Sequence, residues 1–141
     1  MTPSSTHLVI IPSYNAGGKL AETVRQALTC WQPVWVVLDG STDGSAAALV
    51  ETARLEKGLR ILALERNSGK GAAVLHALLA AEHGGFTHAL VLDADGQHST
   101  ADISRFMEAS QKNPAAMIIP PTALGKQLIG GDGAPEPPTP P

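Results

Sequence analysis

Cysteine and aromatic residues are scarce in this sequence: Cys30 is the only thiol, and two Trp, two Phe and one Tyr make up the aromatics among 141 residues. A single cysteine excludes an internal disulfide framework and a thiolate zinc site. Ten basic residues stand against 13 acidic ones for a net charge of −3, and the basic ones are scattered. That excludes the clustered positive footprint of a protein with a nucleic-acid partner. Long apolar runs are missing as well. None approaches the roughly 18–20 residues needed to cross a bilayer. The opening MTPSSTHLVII has no basic n-region and too short an apolar stretch for a signal peptide. The expected location is the cytoplasm.

What is present is a globular composition, 43% hydrophobic, long enough for one domain with a real core but hardly for two. Short apolar runs alternate with amphipathic stretches. HLVII (7–11) predicts a strand halted by Pro12, and the helical spacing of Leu20, Val24, Ala27 and Leu28 predicts a helix over 19–28. VWVVL (34–38) predicts a second strand. Asp43 and Ser45 can cap a helix through AAALVETARLEK that stops at Gly58. RILAL (60–64) predicts a third strand, and residues 71–83 a third helix closed by Gly84 and Gly85. HALVL (88–92) predicts a fourth strand, ADISRFMEASQK (101–112) a helix ended by Asn113-Pro114, and AAMII (115–119) a fifth strand.

Strand runs with little polar alternation, each followed by a helix, indicate an α/β fold with a doubly wound, mainly parallel sheet covered on both faces. Residues 120–141 contain seven prolines and four glycines and show no sustained period. The last dozen are read as disordered. The expected division is a domain over 1–129 and a disordered tail over 130–141.

In such sheets ligands bind beyond the carboxyl ends of the strands, and the loops PSYN, DGSTDGS, RNSGKG and DADGQH fall there. The last is the most informative. An apolar strand that runs into Asp93-x-Asp95 puts two like charges on one side of the chain, and a proton or a cation between them relieves the repulsion. Gln97 adds a neutral oxygen and His98 a ring nitrogen. Hard oxygen donors suit Mg2+ or Mn2+ better than zinc, and Mg2+ usually bridges one or two carboxylates to substrate phosphates. The plain alternative is a turn followed by a helix cap. Asp39, at the end of the second strand, is either an acceptor for a base N–H or an ordinary turn residue. Lys70, between two glycines at a helix N-terminus, could hold a phosphate with the help of backbone N–H groups. Gly69-x-Gly71 also partly matches a dinucleotide fingerprint, which would make this a small NAD(P)-binding domain, but Val74 stands where that motif needs Gly or Ala.

Taken in order, VIIPSYNAGGKL, VVLDGSTDGS, RNSGKGAAV and LVLDADGQHS resemble the family 2 glycosyltransferases of the GT-A fold, and among them the polyprenol- and dolichol-phosphate sugar transferases. The resemblance covers residues 7–119. It implies the nucleotide-binding half of a GT-A fold, with Pro12, Tyr14 and Asn15 lining the nucleotide pocket. Asp39 would contact the base, and Lys70 would lie near the diphosphate or base side of the donor. Asp93 and Asp95 would bind the metal-diphosphate, with Gln97 as a further metal ligand and Mg2+ or Mn2+ as the cofactor. The donor would be a UDP- or GDP-linked sugar and the acceptor a polyprenyl phosphate at the inner face of the membrane.

Leu38 and Ala16 stand where many members of that family carry acids. Members also continue with an acceptor-binding half, where this sequence has its Pro/Gly stretch. The chain is therefore read as a truncated N-terminal portion, with no identifiable catalytic base. Two functional readings follow: a transferring enzyme, and a module that holds nucleotide-sugar without turnover. Apolar surface left uncovered where the second half packs would favour a homo-oligomer or peripheral membrane association.

Asp95 lies beyond the apolar run of its strand, where it is expected to face a ligand rather than the core. Asp95→Ala is expected to abolish metal-dependent nucleotide binding and leave the fold intact, a loss of about 3–5 kcal/mol by analogy with breaking a buried charge pair. Calorimetry with UDP or GDP and Mn2+ checks this, and unchanged affinity would remove the metal-site reading.

Overall fold

The computed structural model describes residues 2–94 and 102–113, and the backbone of a short strand at 128–129. Strands β1 (His7–Ser13), β2 (Val34–Asp39), β3 (Leu59–Leu64) and β4 (His88–Val91) alternate with helices α1 (Gly18–Cys30), α2 (Ser45–Leu55), α3 (Lys70–His83) and α4 (Ile103–Lys112). The final element is β5 (Leu128–Ile129). The sheet order is β3-β2-β1-β4-β5. β1 to β4 are mutually parallel, and β5 pairs antiparallel with β4. The doubly wound, mainly parallel sheet expected from the sequence is present.

Three expectations change. β1 runs through Pro12 instead of stopping at it. The N–H of Leu92 donates to the carbonyl of Ile10 at 2.9 Å, so the backbone groups of alternate β1 residues face β4. β4 ends at Val91, opposite Ile10, so Pro12 has no partner on that side and its missing N–H costs no ladder bond. Second, the edge strand described comes from Leu128–Ile129, inside the stretch that showed no period, while AAMII (115–119) lies outside the described residues. The expected disorder of 130–141 also falls outside them. Third, α2 begins after Gly44, which takes a left-handed φ of 86° at the N-cap, and ends at Leu55.

Both faces of the sheet are buried, and strand alternation divides the core in two. Val9, Ile11, Val34, Val36, Leu38, Leu90 and Leu92 face α1, α2 and α4, meeting Leu20, Val24, Leu49, Ile103 and Met107. Leu8, Ile10, Trp35, Val37, Ala89 and Val91 face α3, where they meet only the small side chains of Ala73, Ala77 and Ala81 and a few half-buried neighbours. These alanines, four residues apart, let α3 lie close to the sheet. Leu75 and Leu79 consequently point outward, 55% and 53% exposed.

At the end of the sheet away from the strand carboxyl termini, His7 and His88 are register partners. Their buried rings stack with centroids 4.4 Å apart and planes within 4°. His7 Nδ1 bonds with Thr6 Oγ1 at 2.8 Å, and its Nε2 with the hydroxyl of Ser110 on α4 at 3.1 Å. Burial, and then the neighbouring His88, hold the His7 pKa below the ordinary histidine value. A depressed imidazole pKa means the unfolded chain binds the proton more readily. The His7 contribution to stability is therefore complete above about pH 6.5 and is lost as pH falls from there through the folded value. The melting temperature should drop across that window, and His7→Gln should remove most of the slope. An identical acid slope in the variant would show that other groups control it.

Candidate functional site

The carboxyl ends of the strands are stitched together by their loops. Asp39, the last residue of β2, is 3% exposed. Its two carboxylate oxygens accept the backbone N–H groups of Ser68 at 2.7 Å and Gly69 at 2.9 Å. The side-chain amide of Asn67 donates to the Asp39 carbonyl at 3.3 Å. Gly40 follows with φ +76°, and a Cβ there would lie 2.6 Å from the carbonyl carbon of Arg66 and in collision with the Asn67 nitrogen. Only glycine permits both that φ and that approach. Asp39 thus anchors the β3–α3 loop, while each carboxylate oxygen keeps a further lone pair for a ligand.

A second clasp joins the loops after β1 and β2. Asn15 has a positive φ of 50°. Its Oδ1 accepts the N–H groups of Thr42 at 2.7 Å and Asp43 at 3.2 Å, and its own N–H donates to Ser41 Oγ at 3.1 Å. The Asp43 carboxylate in turn accepts the Ser45 hydroxyl at 2.6 Å, the Ser45 N–H at 3.0 Å and the Gly17 N–H at 2.9 Å. The Ser45 hydroxyl foremost, then the backbone N–H groups of Ser45 and Gly17, hold the Asp43 carboxyl below its usual pKa. Asp43 therefore caps α2 from one residue before Gly44.

Between the clasps and α3 lies a cavity of about 230 Å³ lined by Pro12, Ser13, Tyr14, Asp39, Asn67, Lys70 and Ala73. It sits on the α3 side of the sheet, beyond β1 and β2. The Tyr14 side chain stands 53% exposed there. Of the residues expected to contact a nucleotide, Pro12, Tyr14, Asp39 and Lys70 come together in its wall. Asn15 is not in the wall; its side-chain oxygen is engaged by the neighbouring loop. Asp93 is attached through Lys70, whose Nζ lies 2.7 Å from its Oδ1. Asp95 and Gln97 lie outside the described residues, so Asp93 is the one expected metal ligand that the structure places. Among the described residues, no group of three His, Cys, Asp or Glu residues could hold a metal ion.

Asn67 and Ser13 were not singled out from the sequence. Asn67 had a signal, since it opens the NSGKG stretch after a strand. A larger cavity of about 350 Å³ between α1 and α2 is lined by Arg25, Leu28, Thr29, Thr52, Leu55 and Glu56. It lies away from the carboxyl ends of the strands and draws together none of the polar loops, so volume alone does not locate the site.

The model of glycosyl transferase family 2 matches residues 8–133. The chain belongs to that family. The polyprenol monophosphomannose synthase of Mycolicibacterium smegmatis is 36% identical over 111 residues, which are 76% of this chain and 42% of that protein. The dolichyl-phosphate beta-glucosyltransferase of Saccharomyces cerevisiae is 30% identical over 117 residues, covering 74% of this chain and 34% of that one. The family 2 chain thus spans less than half the length of these relatives. Its fold is similar to that of a mannosyltransferase from Pyrobaculum calidifontis in complex with GDP-Man and Mn2+, with a TM-score of 0.66 at 22% identity over 82% of this chain and 36% of that one. The GT-A architecture implied by the four loops is present, and the family match continues past residue 119 to include β5.

The two departures from the family pattern have a structural reading. Leu38 is 3% exposed and packs in the core on the α1 side of the sheet, the face opposite Asp39. Ala16 packs against the same core. An acid at either position here would meet apolar neighbours.

Asp39→Asn turns one carboxylate oxygen into an N–H donor facing a backbone N–H of Ser68 or Gly69. The variant is expected to lose about 1–3 kcal/mol of stability, the cost of an unsatisfied buried donor, and to loosen the cavity wall. Chemical denaturation measures the first effect and nucleotide titration the second. A fully stable variant would show that the loop holds itself in place.

Proposed function

We propose that the cavity binds the nucleotide of a UDP- or GDP-linked sugar, and that the protein transfers the sugar to a polyprenyl phosphate. The observation that carries this reading is the convergence of Pro12, Tyr14, Asp39 and Lys70 on one cavity, with Asp93 beside it. The exposed Tyr14 ring offers a face for the base, Asp39 and Asn67 offer acceptors and a donor to its edge, and Lys70 offers a cation to the diphosphate. The names of the mycobacterial and yeast relatives support the lipid-phosphate acceptor, and the donor in the archaeal neighbour supports the nucleotide-sugar.

The residues suit a divalent metal, Mg2+ or Mn2+. The Asp93 carboxylate is a hard donor, 15% exposed, that already attracts an ammonium to 2.7 Å. Asp93, Asp95 and Gln97 would hold the ion, the Mn2+ of the archaeal neighbour supporting the choice. When bound there it would neutralise negative charge growing on the departing diphosphate. Among the described residues no helix is long and apolar enough to cross a membrane. We place the reaction at the cytoplasmic face of the membrane, where a peripheral enzyme meets a lipid-phosphate acceptor. A second reading, a donor-binding module without turnover, draws on the same cavity.

Thermal-shift measurements with UDP-glucose, GDP-mannose and NAD+, each with and without Mn2+, test the reading. A nucleotide-sugar at 100 times its Kd should stabilise the chain by about 2.7 kcal/mol, only with metal present, and NAD+ should not. Stabilisation by NAD+ alone would overturn the assignment. Transfer of sugar to a polyprenyl phosphate separates the enzyme from the binding module.

A further inference from the structure

We infer that Lys70 is an internal counter-ion for Asp93, which makes metal and nucleotide bind cooperatively rather than independently. The inference rests on the donor-binding reading above. Lys70 opens α3, and Asp93 follows β4 by two residues. Ala89 and Val91 face α3, so strand alternation turns Asp93 to the same side. The ammonium and the carboxylate meet there at 2.7 Å. Lys70 thereby occupies a cation position on the very carboxylate expected to hold the metal.

The pair is asymmetric. The Asp93 side chain is 15% exposed and the Lys70 side chain 50%. The lysine end is therefore the mobile one, a point charge on a flexible four-carbon stem. Lys70 also lines the nucleotide cavity, so the same ammonium can leave Asp93 and reach a diphosphate in that cavity without any shift of α3. An ion pair this exposed is weak enough to be exchanged.

The consequence is a coupling. With metal alone, Asp93 can take a second cation only against the repulsion of the ammonium or by releasing it to water. With metal and nucleotide together, Lys70 transfers to phosphate and both cations are paired. Each ligand then strengthens the other by the same factor, as linkage requires.

Titration calorimetry on the full chain tests this, using Mn2+ alone, GDP or UDP alone, and GDP or UDP at saturating Mn2+. Lys70→Gln is expected to bind Mn2+ alone about fivefold more tightly, the value of one exposed ion pair, and to bind nucleotide in Mn2+ more weakly than the unaltered chain. Its metal–nucleotide coupling factor should shrink accordingly. Lys70→Arg keeps the cation and should retain the weak affinity for Mn2+ alone. Lys57→Gln removes a positive charge just before β3, at the opposite end of the sheet, and should leave Mn2+ affinity unchanged. Mn2+ affinity that is unchanged or reduced in Lys70→Gln, or equally raised in Lys57→Gln, overturns the inference while metal-dependent nucleotide binding by the unaltered chain still stands. Absence of any metal-dependent nucleotide binding in the unaltered chain overturns both the inference and the donor-binding reading.

Discussion

Right-handed crossovers between parallel strands dictate which face of the sheet each connecting helix covers. β1 lies inside the sheet, and the chain moves outward from it through β2 to β3. Both steps go in the same direction, so α1 and α2 cover one face, with Leu20, Val24 and Leu49 in the same core cluster. The step from β3 to β4 returns past β1 in the opposite direction, and α3 must cross on the other face, where Ala73, Ala77 and Ala81 are found. The reversal opens a crevice beside the carboxyl end of β1, the position where open α/β sheets bind ligands. Pro12 and Tyr14 stand at one side of it, and Lys70 with Asp93 at the other.

The loops around that crevice are held by backbone donors rather than by side-chain packing. Asp39 receives two N–H groups from the β3–α3 loop, and Asn15 receives two from the β2–α2 loop. Asp39 uses both carboxylate oxygens and Asn15 its one amide oxygen to organise a neighbouring segment, leaving the cavity walls preorganised. On the far side of the sheet, Thr23 on α1 donates to the carbonyl of Ala94 at 3.3 Å, which fixes the chain between Asp93 and Asp95. The site is therefore assembled by polar contacts between segments that are distant in sequence.

Much of the fold was legible because burial on both faces leaves a plain mark in a parallel sheet. HLVII, VWVVL and HALVL are apolar almost throughout, and each lies in the strand expected for it, with ends off by a residue or two. The exception at Pro12 is instructive. A proline halts a strand only where a neighbour awaits its N–H, and whether β4 extends that far is a matter of pairing. Leu128–Ile129 was missed for a related reason: two residues carry no period, and their strand exists only because β4 offers an edge.

The sequence by itself determined the alternation of strands and helices, the family, and the four polar loops at the strand ends, because these depend on local composition and spacing. It also marked Pro12, Tyr14, Asp39, Lys70 and Asp93 as candidates for one site. Only the tertiary structure decided how those candidates divide their work, because that depends on which loops touch. Asn15 lies in a clasp instead of the cavity wall, Asn67 joins the wall, and Asp39 secures a loop 28 residues away in the chain. It also brought Lys70 to Asp93. A contact between residues 23 positions apart has no signature in either local stretch; it follows from the crossing of α3 over the sheet, which lays the start of that helix beside the end of β4.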